Sequence, residues 1–162
     1  MRLTTVDGTE ICASMPRYLQ GYFKPRNPEK YLGDPTNIVY RSSWELKVLL
    51  HLDAHPDVIA WSSEEVQIPY ISPIDGKRHT YFPDFLVQKK NAQGIIETDL
   101  VEIKPKKQMS PPKKPKKITK AFLNEVEVWG KNSAKWAAAE EYCRQRGWKF
   151  YVLNEDHLNI KF

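Results

Sequence analysis

The sequence predicts a single α/β domain, a mixed β-sheet flanked by helices. Three observations predict it. The chain has 162 residues, enough for one compact domain with a real core and little more. Apolar residues recur at helical spacing in two stretches and alternate or cluster at strand spacing in several others. The patterns follow the order helix, strands, basic loop, helix, strand, which suits a sheet covered by helices.

Residues 1–36 are polar, Pro- and Gly-punctuated and weakly periodic. They read as an arm or extended lead-in, with residues 37–162 as the folded domain. Met15 is an alternative start, which would make the first fourteen residues dispensable.

Ser42-Ser43-Trp44-Glu45 opens a helix that runs to about Ala54. Ser42 is its expected N-cap and Pro56 its stop. Val58–Trp61 and Val66–Ile71 read as strands, and Ser72–Lys77 supplies turn residues. One long strand is expected over His79–Lys90, holding Asp84. Asn91–Gly94 turns the chain, and Ile95–Lys104 returns as the partner strand with Glu102 and Lys104. Pro105–Pro115 is an exposed Pro- and Lys-rich loop. Ile118, Phe122, Val126, Trp129, Trp136 and Ala137 then mark a helical region to about Arg146, with a break expected near Gly130–Ser133. Gly147 fits a helix C-cap. Trp148–Leu153 is a closing strand, followed by a short turn and an edge segment.

Charge is local. The net +5 is modest, but Lys104, Lys106, Lys107, Lys113, Lys114, Lys116, Lys117 and Lys120 follow one another with no intervening acid. A solvated charge run explains such a stretch as readily as contact with a DNA phosphate backbone. Its adjacency to Lys104 favours DNA, bound by backbone and shape rather than by base readout. Arg41, next to the capping Ser42, is a further candidate for phosphate or for Glu45. Cys12 and Cys143 lack metal-ligand spacing and read as reduced thiols. His51 and His55 stand at i and i+4 without a companion ligand and read as ordinary helix histidines. Four tryptophans, Trp44, Trp129, Trp136 and Trp148, read as core. Trp61 reads as core or rim. No apolar run suits a membrane span or a signal peptide, so a membrane role is not expected.

The chemistry lies in Tyr81-Phe82-Pro83-Asp84-Phe85-Leu86-Val87 and Leu100-Val101-Glu102-Ile103-Lys104. Each apolar segment carries a carboxylate where a strand should bury Val or Ile. Glu102 and Lys104, two apart, share a face. Charges are rarely buried unless paired or bound to metal. Asp84 and Glu102 are therefore candidate ligands for Mg²⁺, with Mn²⁺ as a substitute and the Ile103 backbone carbonyl as an added oxygen donor. Lys104 is placed to position an attacking water or to neutralise charge on a phosphate. Glu45 is either a capping-box partner of Ser42 or a third acid facing the sheet with Leu49 and Leu52. The competing explanation for Asp84, Glu102 and Lys104 is a turn residue after Pro83 and a surface ion pair on an edge strand.

The layout of Glu45 in the first helix, Pro83-Asp84, and Glu102-Ile103-Lys104 resembles the PD-(D/E)xK nuclease superfamily, nearest its TnsA-type endonucleases. That resemblance implies a restriction-endonuclease-like fold, with Glu45, Asp84 and Lys104 in the helix-acid, strand-acid and lysine roles and Glu102 at the variable acidic position. Gly21-Tyr22-Phe23-Lys24-Pro25, Tyr40-Arg41-Ser42-Ser43-Trp44-Glu45-Leu46, Ile68-Pro69-Tyr70-Ile71-Ser72-Pro73, Tyr81–Phe85 and Ala134–Glu140 are similar to the head completion nucleases of T-even-like phages. This implies a small DNA endonuclease acting in head completion after DNA packaging, in the host cytoplasm or carried in the virion. It also implies portal or head proteins as partners. A homodimer on DNA would reach both strands. Two other functions compete: a non-catalytic structural head-completion or DNA-end-binding protein, and a transposon-type end-cleaving subunit that needs a partner recombinase.

Overall fold

The computed structural model describes residues 19–158 in full, together with the backbone of two short paired strands, β1 (Leu3–Thr4) and β2 (Glu10–Ile11). Cys12 and Met15, and the edge segment expected at the extreme C-terminus, lie outside the described residues.

The central sheet has four strands in the order β10-β9-β8-β5. These are β5 (Val58–Ser63), β8 (Phe85–Lys90), β9 (Ile96–Ile103) and β10 (Lys149–Leu153). β5, β8 and β9 are antiparallel neighbours, and β10 lies parallel to β9. A parallel pair needs a crossover, and α2 (Lys120–Arg146) supplies it. The sheet is therefore mixed, as expected.

Strand alternation assigns the two faces. Phe85, Val87, Val101 and Ile103 pack with Trp44, Val48, Leu49 and Leu52 of α1 (Ser43–Ala54). Leu86 and Leu100 pack on the opposite face with Ala139 and Cys143 of α2 and with Ile68, Tyr70 and Tyr81. Those last three come from a hairpin, β6 (Ile68–Ile71) and β7 (Arg78–Tyr81).

α1 begins as expected: the Ser42 hydroxyl accepts the Glu45 amide at 3.1 Å. α2 differs. It is one unbroken helix of 27 residues, so the break expected near Gly130–Ser133 does not occur. A mid-helix glycine weakens a helix by about 1 kcal/mol relative to alanine, less than tertiary packing returns. Here Pro73 lies against Gly130, 3.6 Å from where a Cβ would stand. Gly147 closes α2 at φ 68°, a left-handed position that glycine adopts freely.

Part of the lead-in packs onto the domain. β3 (Gly21–Phe23) pairs with β4 (Ile38–Tyr40), and Phe23 and Tyr31 are buried in the core against Trp61. Buried Asp53 accepts the amides of Arg26 and Asn27 at 2.8 and 3.1 Å. Phe23, Tyr31 and Ile38 thus anchor the lead-in to the domain's core. Periodicity misses them because three-residue strands and single aromatic anchors have no period.

Candidate active site

β9 ends in a run of buried residues, and two of them are acidic: Asp99, paired with Lys89 at 2.8 Å, and Glu102. Glu102 is 4% exposed. Alternation turns Val101 and Ile103 toward α1 and Leu100 and Glu102 toward α2. Glu102 has two donors: the Tyr81 hydroxyl reaches Oε2 at 2.8 Å and Lys104 Nζ reaches Oε1 at 3.1 Å. Lys104 lies just past the strand, yet its amide donates to the Leu153 carbonyl at 2.9 Å. The ladder to β10 therefore continues one residue further and keeps Lys104 on the face of Glu102. Burial works against the Lys104 ammonium, but Glu102, Asp84 and Glu45 outweigh it and hold its pKa above the ordinary lysine value.

Asp84 is not inside a long strand. The segment His79–Lys90 breaks at Phe82-Pro83-Asp84, and its two halves join different sheets. Pro83 has no N–H for a ladder, and that explains the break. Asp84 stands one residue before β8, with its Oδ2 accepting the Ile103 amide at 2.7 Å. Its backbone carbonyl accepts the Glu64 amide at 3.0 Å. Burial first and Glu102 second push the Asp84 pKa well above the usual carboxylate value, against the Ile103 amide and Lys104. Asp84, Glu102 and Lys104 are thus gathered at one rim, where β8 begins and β9 ends.

Glu45 approaches from the other layer, in the first turn of α1. Its Oε2 accepts the Arg41 amide at 2.8 Å, a capping contact one residue before the N-cap. It is also close enough to influence both Asp84 and Lys104 electrostatically. Burial raises the Glu45 pKa, opposed by the Arg41 amide and reinforced by Glu64. The one carboxylate thus makes a capping contact and lies within electrostatic reach of the rim. Arg41 points its guanidinium to Glu64 at 2.6 Å.

Three residues that the sequence pattern did not single out belong to this neighbourhood. Tyr81 holds Glu102. Glu64 stands at φ 55°, rare for a residue with a side chain, between β5 and β6. Lys135 of α2 places its ammonium 5.6 Å from the Tyr81 ring centre. The alternation of Tyr81 with buried Pro83 and Phe85 signals burial but not a hydroxyl bond, and neither of the other two has a sequence signal.

The lysines of the basic segment are exposed: Lys106, Lys107, Lys113, Lys114, Lys116, Lys117 and Lys120. Lys106 differs from the rest, being paired with Asp156 at 2.7 Å. A groove of about 490 Å³ between this loop and α2 is lined by Lys107, Lys113 and Trp129 among others, and by none of the rim carboxylates. His51 and His55 face each other with ring centres 5.0 Å apart.

A metal must fit this donor set. Among the described residues no three His, Cys, Asp or Glu side chains are gathered as a ready metal cage. Mg²⁺ does not need one: it is usually held by one or two carboxylates, with water and substrate phosphate completing its shell. Asp84 and Glu102 are hard oxygen donors of that number. The raised Asp84 pKa comes from burial first and from the Glu102 charge second, and a bound cation would act against both. The residues fit a hard divalent ion.

Residues 55–155 match the family described as TnsA-like endonuclease N terminal. Asp84, Glu102 and Lys104 lie inside that span and Glu45 precedes it. The chain is also 42% identical over 142 residues to the head completion nuclease of Enterobacteria phage T4, covering 85% of this chain and 92% of that protein. With a mixed sheet between two helices and the match spanning more than half its length, the chain belongs to the TnsA-like endonuclease family and has a restriction-endonuclease-like fold.

Proposed function

We propose that the protein is a divalent-metal-dependent DNA endonuclease acting in phage head completion. The observation that carries this is the buried carboxylate Glu102 tied to Lys104, with Asp84 bonded to the Ile103 amide between them. The relationship to a head completion nuclease supports the biological setting. In this reading Asp84 and Glu102 hold Mg²⁺ or Mn²⁺, with the Ile103 carbonyl as a further donor. The ion would supply charge neutralisation at the phosphate and a more acidic water. Lys104 positions the attacking water or stabilises the phosphorane oxygens. Glu45 orients water at the α1 side of the rim. The exposed lysines of residues 105–120 lie along the DNA backbone. A homodimer would present two sites for double-strand scission, and portal or head proteins would bring the enzyme to packaged DNA.

The test is plasmid nicking by purified protein with Mg²⁺, Mn²⁺ or EDTA. Product that requires the divalent ion, and is lost in Asp84→Asn and Lys104→Met while the far-ultraviolet spectrum is kept, supports the proposal. No product with any divalent ion favours a structural DNA-end-binding protein instead.

A further inference from the structure

Lys135 occupies an anomalous place. Ala139 and Cys143, four and eight residues further along α2, are buried against the hairpin and the sheet. Residues at this spacing share a helix face, so Lys135 continues an apolar stripe with an ammonium. Its Nζ lies 5.8 Å from the Tyr70 ring centre and 5.6 Å from that of Tyr81. The two rings are diagonal neighbours on the β6–β7 hairpin, and Tyr81 is the residue whose hydroxyl holds Glu102. Lys135 is therefore held over the rim from the α2 side, opposite the approach of Glu45. It is within electrostatic reach of Lys104, Glu102 and Asp84.

A half-buried ammonium normally finds a carboxylate. Among the described residues Lys135 makes contact with two rings and forms no ion pair. Burial and the neighbouring Lys104 both act against its positive charge. What would relieve them is an anion brought from outside into the space between Lys135, Lys104 and the carboxylate rim. DNA brings such anions at every nucleotide.

We propose that Lys135 forms a phosphate subsite of the active centre, contacting a non-bridging oxygen of the scissile phosphate or its immediate neighbour. This rests on the endonuclease reading above. It adds a cation from α2 to a site otherwise built from sheet residues and the start of α1. The tyrosine rings keep the ammonium aimed before DNA arrives.

The variants are Lys135→Met, which keeps the stem between the rings, and Lys135→Arg, which keeps the charge. Cleavage kinetics are measured with Mg²⁺, and DNA affinity as a function of salt is measured in an Asp84→Asn background. Lys135→Met should lower kcat/KM by about 10–100-fold and reduce the slope of log K against log salt by about one, the loss of one phosphate contact. Lys135→Arg should recover most of both. Wild-type kinetics and an unchanged salt slope in Lys135→Met would overturn the subsite. So would a loss of activity matched by lower thermal stability with an unchanged slope, which would assign Lys135 to packing. Asp84→Asn is measured alongside: if it still cleaves, the endonuclease site itself is misplaced, a failure distinct from that of Lys135.

Discussion

The Tyr81 hydroxyl donates to Glu102 Oε2 at 2.8 Å, while Lys104 approaches the other oxygen of the same carboxylate. The hydroxyl has two effects. It satisfies a buried acceptor, and it fixes the carboxylate plane relative to Asp84. A hydrogen bond to a charged group contributes about 1.5–3 kcal/mol. Tyr81→Phe should therefore lower stability by about 2 kcal/mol in urea unfolding. Cleavage should fall about tenfold, mostly in kcat, because a mobile Glu102 holds the reacting geometry less well.

Asp84 gives a prediction of opposite sign for stability. Its pKa is raised in the folded protein, so its ionised form opposes folding above that pKa. The penalty is fully present above the folded pKa and fades as pH falls through it toward the unfolded one. Asp84→Asn keeps an oxygen for the Ile103 amide and removes the charge. In metal-free buffer at pH 8 the variant should melt higher than wild type, with the gap closing toward pH 4. Mg²⁺ or Mn²⁺ at a hundredfold excess over Kd should stabilise wild type by about 2.7 kcal/mol, or roughly 5–10 °C, and leave the variant unmoved. Calorimetry with and without EDTA checks both arms.

Glu45 separates capping from chemistry. Its Oε2 holds the Arg41 amide, a bond that Gln can keep and Ala cannot. Glu45→Gln should therefore stay within about 0.5 kcal/mol of wild type in stability, while Glu45→Ala loses about 1 kcal/mol with the capping contact. If the carboxylate serves the rim, both variants should lose cleavage alike. If Glu45→Gln cleaves at the wild-type rate, its role is the cap.

The grouping of Asp84, Glu102 and Lys104 was legible because period-two alternation makes a charge in an apolar run conspicuous. It also gave Glu102 and Lys104 the same face. Ser42, Pro56 and Gly147 marked helix ends by local backbone chemistry, which short sequence windows carry. What remained hidden depends on contacts distant in sequence. Lys135 lies 31 positions after Lys104 and looks like any solvent lysine on a helix until β6 and β7 fold over its stem. Phe23 and Tyr31 join the core only because Trp61 receives them. Gly130 suggested a break that helix packing overrides. Pro83 was visible, but its consequence, that one apparent strand serves two sheets, required the hairpin partner to be in place.

The basic segment yields a prediction that distinguishes lysines the sequence treats alike. Lys106 is already paired with Asp156, and its amide is bonded to Glu155. Lys107, Lys113, Lys114, Lys116 and Lys117 form no ion pair among the described residues and are exposed beside the groove or the loop. Each lysine that neutralises a phosphate releases counterions and contributes about 0.9 to the salt slope of duplex binding. Lys113→Gln with Lys114→Gln should therefore lower the slope by up to about two and weaken binding to unrelated sequences equally. Lys106→Gln should change it far less, since its charge is already opposed at 2.7 Å. Anisotropy titrations across a salt series on two unrelated duplexes measure both quantities. Equal slopes for the double variant and wild type would place the DNA path away from this loop.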